Sequence, residues 1–224
     1  MTLVELLVAV AIAAGLMASL FGLAEPAQAL FDTQFELADM HQRLRSAVHT
    51  MERRLTEAGP PVRPYRIGAR RDDAAAGVFY RDDVVSVVPG WGDVDGSSHT
   101  FYLKAASPAA PPQLMHYDGR DADFPLTDHV VALRFTYFTA DGTPMDPAAL
   151  QDGPWLSDVA GPFDATLLEI RRIQITLRVE AARASLRGPA GPLFARAGTA
   201  ASLGRFMPDR ELRIDVAPRN LLDE

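Results

Sequence analysis

The sequence predicts an α+β fold: a long N-terminal helix, apolar in its first half and amphipathic in its second, packed against a mostly antiparallel β-sheet domain. Three observations carry this expectation. Residues 6–24 contain no charged side chain. Residues 37–55 place apolar side chains at helical spacing. Beyond residue 60 the hydrophobic period shortens to two, the period of a strand with one buried face.

The chain has 224 residues with 22 basic and 29 acidic side chains, a net charge of −7, and no cysteine. Glu5 is the only charge in residues 1–24, so the remainder carries 22 basic and 28 acidic groups. An acidic chain without a basic footprint is a poor nucleic-acid binder by counterion release. The lack of cysteine excludes disulfide scaffolds, thiolate zinc sites, iron–sulfur clusters and cysteine nucleophiles.

The apolar N-terminus is long enough to cross about 30 Å of hydrocarbon as a helix. A secretory signal peptide would begin with a basic segment, yet the first basic residue here is Arg43. A membrane anchor is therefore expected, although Ala24–Ala29 has the small residues of a cleavage site. Glu5 is costly in such a segment, because a carboxylate at membrane depth needs a partner or a route to the headgroups. Both outcomes are open on chemistry alone.

Pro26 follows the apolar run and is expected to bend the helix or melt one turn. The helical pattern then resumes with Leu37, Leu44, Val48, Met51 and Leu55 on one stripe, extended by Phe31 and Phe35. Gly59-Pro60-Pro61 ends it. A helix over residues 2–58 would measure roughly 85 Å at 1.5 Å per residue.

Three clear strands follow. Ile173, Ile175, Leu177 and Val179 alternate with Arg172, Gln174, Thr176, Arg178 and Glu180. Val131, Leu133, Phe135 and Tyr137 alternate with Ala132, Arg134 and Thr136, and Leu212, Ile214 and Val216 alternate with Glu211, Arg213, Asp215 and Ala217. Residues 84–88, 99–104 and 113–117 are weaker strand candidates. Segments 59–76, 89–98, 105–112, 140–168 and 185–208 are expected as loops from their Pro and Gly content; 184–206 would join two neighbouring strands. The apolar strand faces should rest on the helix stripe.

No enzyme constellation is found. His41 and His49 are eight residues apart, not the four of a zinc helix, and neither nucleophile-elbow nor phosphate-loop motifs occur. Each of the five histidines, His41, His49, His99, His116 and His129, is expected to be exposed or hydrogen-bonded. Asp93-Val94-Asp95-Gly96 is a fragment of a calcium loop without its glutamate, and Asp118, Asp121 and Asp123 form a second oxygen cluster. Turn-forming aspartate is the preferred reading of both, with calcium as the alternative cofactor.

The segment Thr2-Leu3-Val4-Glu5-Leu6-Leu7-Val8-Ala9-Val10-Ala11-Ile12 resembles the N-terminus of the type IV pilins and type II secretion pseudopilins. The ending Val216-Ala217-Pro218-Arg219-Asn220-Leu221 is similar to that of the larger minor subunits, PilW-like minor pilins and J-type pseudopilins. The resemblance implies a pilin-like fold and no catalysis. It makes Met1 the residue exposed by prepilin peptidase and N-methylated, and Glu5 the assembly residue that pairs with a partner's N-terminal ammonium. The basic leader and its glycine are absent from this sequence, so either Met1 is the processed residue or the start was placed too late. Residues 1–25 would be the transmembrane and assembly half of the helix, 26–58 its amphipathic half, and 59–224 a β-rich periplasmic domain. The implied partners are other pilin-like subunits, prepilin peptidase and the inner-membrane assembly platform. The implied role is tip or initiation subunit of a type IV pilus or a secretion pseudopilus. Some pseudopilins bind calcium in a loop, which keeps that alternative open. A membrane-anchored periplasmic binding or adhesion domain is the rival reading.

Overall fold

Leucine and alanine fill the first 24 residues, and with no proline before residue 26 nothing interrupts helix propagation there. The computed structural model describes residues 2–57, 67–68, 85–87, 99–107, 110–117, 123–146, 169–200 and 206–218. Helix α1 spans Leu3–Thr56. It remains helical through Pro26, so no turn is melted there. One missing N–H removes a single bond from a 54-residue ladder, and the ladder continues on both sides. The expected cap at Gly59 lies outside the described residues.

The chain divides into two units, Met1–Asp39 and Met40–Glu224. In the first, Leu3–Ala24 is a 22-residue stretch of mean hydropathy 2.4 with none of its side chains buried. It is long and apolar enough to span a membrane. Phe31 and Phe35 are 69% and 79% exposed, so they do not extend the buried stripe.

In the second unit the stripe is real and tighter than the sequence indicated. Met40, Ala47, Met51 and Leu55 are fully buried, and Leu44 and Val48 nearly so. Spacings of three and four keep these six on one face of the helix. Burying each large side chain contributes about 1.5–3 kcal/mol.

Among the described residues, eight strands form two antiparallel sheets. The first has the order β1-β2-β3-β4-β5, with β1 Ile67–Gly68, β2 Val85–Val87, β3 His99–Lys104, β4 Gln113–Tyr117 and β5 Asp123–Thr127. The second has the order β6-β7-β8, with β6 Val130–Phe138, β7 Arg172–Val179 and β8 Arg210–Val216. The long helix and antiparallel sheets make the fold α+β. Strand β1 falls in a stretch expected to be loop, and β5 was not foreseen.

Register explains the core of the second sheet. Leu133, Phe135 and Tyr137 oppose Leu177, Ile175 and Ile173, which oppose Leu212, Ile214 and Val216. Three strands thus present one apolar face, while Arg134, Thr176 and Arg213 share a rung on the other. Leu44 and Val48 of α1 line the same groove as Leu212 of β8, which places the helix stripe beside this face. Two corrections apply. A bulge between Val130 and Ala132 puts Val130 opposite Val179 in the core, and Val131 is only half-buried. Leu212 and Ile214 are also half-buried, because β8 is an edge strand.

Between β5 and β6 the chain passes from one sheet to the other in two residues, Asp128 and His129. His129 makes this possible with a left-handed backbone, φ 53°. Beyond β6, Asp141 accepts hydrogen bonds from Thr139 Oγ1, from the Thr143 amide at 3.1 Å and from Thr143 Oγ1 at 2.9 Å. These donors hold its carboxyl below the ordinary value of 3.8, the Thr139 hydroxyl contributing most. A depressed carboxylate stabilises the turn above that ordinary value, and the contribution is lost as pH falls through the folded value. By NMR titration, Thr139→Val should raise the Asp141 pKa toward 3.8, and more than Thr143→Val does. An unchanged midpoint in both would sever the link.

Candidate functional site

The start of α1 is built by two side chains. Thr2 is the residue before the first helical one, and Glu5 is the third helical residue. The Thr2 amide donates to Glu5 Oε2 at 2.7 Å, and the Glu5 amide donates to Thr2 Oγ1 at 3.3 Å. This reciprocal pair is a capping box, and it satisfies donors that a helix start otherwise leaves unpaired. The carboxylate also complements the positive end of the helix dipole. Sequence reading assigned Glu5 a partner or a route to the headgroups and missed this local role, although the Thr-x-x-Glu pattern was its signal. Glu5 is exposed, and its Oε1 accepts no hydrogen bond among the described residues.

Thus the structure brings Glu5 to the first turn of an exposed apolar helix. Met1 lies outside the described residues, as do Asp93, Asp95, Asp118 and Asp121. Asp123 is described, and its carboxylate is engaged: it pairs with Lys104 Nζ at 3.3 Å. It also hydrogen-bonds Tyr102, whose hydroxyl is pushed above its ordinary range by burial first and by Asp123 second. Among the described residues no group of three or more His, Asp or Glu side chains has the geometry of a metal site.

The histidines divide as their surroundings dictate. His41 and His49 are exposed on α1. His99 and His116 are buried on β3 and β4, with ring nitrogens 2.9 Å apart, and His116 stacks on Phe101 at 4.8 Å between centroids. His129 faces Glu180, Nδ1 to Oε1 at 3.5 Å.

That last contact belongs to a charge cluster that sequence reasoning did not find. Alternation placed Glu180 on the wet face of β7, but the strand ends at Val179 and Glu180 is 0% exposed. Its Oε2 lies 2.6 Å from Arg187 Nη1, and its Oε1 accepts from Arg196 Nη1 at 3.0 Å. Arg43 of α1 donates to the carbonyls of Asp128 at 3.4 Å and Glu180 at 3.5 Å. Arg187 is itself 6% exposed, and its Nε has no hydrogen-bond partner among the described residues. Glu180 is therefore the counter-charge that keeps this guanidinium buried.

The loop after β7 is shaped around the cluster. A 3₁₀ turn at Ala184–Leu186 brings Arg187 inward. Gly198 packs so closely on the Ala184 and Arg187 carbonyls that a Cβ would overlap both. Thr199 donates to the Ala184 carbonyl at 2.8 Å and Met207 to that of Leu186 at 2.8 Å. A second buried acid, Asp209, binds Arg178 at 2.8 Å and the Ala195 amide at 2.7 Å. The segment does join neighbouring strands, β7 and β8. Its buried charge pairs are those of an internal strut, and among the described residues no nucleophile meets a general base there.

Compared with known proteins, the chain matches no protein family and no curated sequence.

Proposed function

We propose that the chain is a non-catalytic structural subunit of the pilin and pseudopilin kind, held in the inner membrane by α1 with its β-rich part on the periplasmic side. In this reading it assembles through α1 with related subunits into a type IV pilus or a type II secretion pseudopilus, at the tip or at initiation. One observation carries the proposal: an acid in the first turn of an exposed, 22-residue apolar helix. In hydrocarbon that carboxylate costs several kcal/mol unless a cation meets it. The capping box orders the side chain in advance and leaves Oε1 available for a neighbour's N-terminal ammonium in this reading. Pairing in low dielectric would set the axial register between subunits.

The capping box also favours a second reading. It gives Glu5 a role within its own helix, so the segment could serve only to anchor a periplasmic binding or adhesion domain. Three variants separate the two. Glu5→Gln removes the charge but keeps a side chain that suits the box. Glu5→Ala removes both, and Thr2→Ala removes the capping oxygen while keeping the charge. All three should reach the membrane. Both Glu5 variants should lose at least tenfold in co-purification with pilin-like partners, and Thr2→Ala should not. Wild-type recovery with Glu5→Gln would sink the assembly reading and leave the anchor.

A further inference from the structure

No further inference is drawn: the strongest candidate, the buried His99–His116 pair between β3 and β4 with its ring nitrogens 2.9 Å apart, is closed by its own hydrogen bond and gains no third metal-ligating side chain among the described residues.

Discussion

Glu180→Ala should be among the most damaging single substitutions in the second unit. Removing one partner of a buried ion pair costs about 3–5 kcal/mol, because the other charge stays behind without compensation. Here the remaining group is Arg187, 6% exposed, with Arg196 and His129 facing the same vacated site. The contribution of Arg196 is discounted, since its side chain is 35% exposed and can turn to water. Urea unfolding followed by circular dichroism would read the loss as a lower midpoint. The companion variant decides the mechanism. Glu180→Met combined with Arg187→Met replaces the pair with apolar side chains and should recover most of the loss. If the double variant is as unstable as Glu180→Ala, packing of the loop rather than the stranded charge is responsible.

Phe135→Ala should cost a similar amount for a different reason. Phe135 is 1% exposed and opposes Ile175, with Ile214 next along the rung. Deleting a buried phenyl group loses its transfer free energy and leaves a cavity, about 3–5 kcal/mol together. The rung supplies its own control. Ile214 is only half-buried on the edge strand, so Ile214→Ala should cost clearly less than Ile175→Ala. Equal losses at 175 and 214 would mean that β8 is covered in solution, for example by an added strand.

Those two residues also mark how far the sequence could be read. Phe135 and its neighbours were legible because alternation over the seven residues 131–137 favours one register: a slip by one would turn the whole apolar set to water. The helix stripe was legible for the same kind of reason. Strand β5 was not, since Asp123-Phe124-Pro125-Leu126-Thr127 has a proline and no clean alternation. It is tolerated because β5 is the edge of its sheet, where a missing N–H costs little. Glu180 was misread because alternation says nothing beyond the end of a strand. Its partners, Arg187 and Arg196, are joined to it by loop geometry that no local period encodes. At Glu5 the cost of a carboxylate in an apolar segment pointed to an outside partner, while Thr2, three residues earlier, carried the simpler capping role.

The left-handed backbone at His129 has an evolutionary consequence. Of the twenty residues, glycine adopts that conformation freely and asparagine, aspartate and histidine tolerate it, whereas β-branched side chains resist it. Only histidine in that set also brings a ring nitrogen to Glu180, 3.5 Å from its Oε1. Position 129 therefore answers to two demands at once: one on how the chain changes sheets, the other on which side chain packs against a buried acid. Drift there is confined to a handful of residues, and every exchange for one of them trades away the second requirement to keep the first.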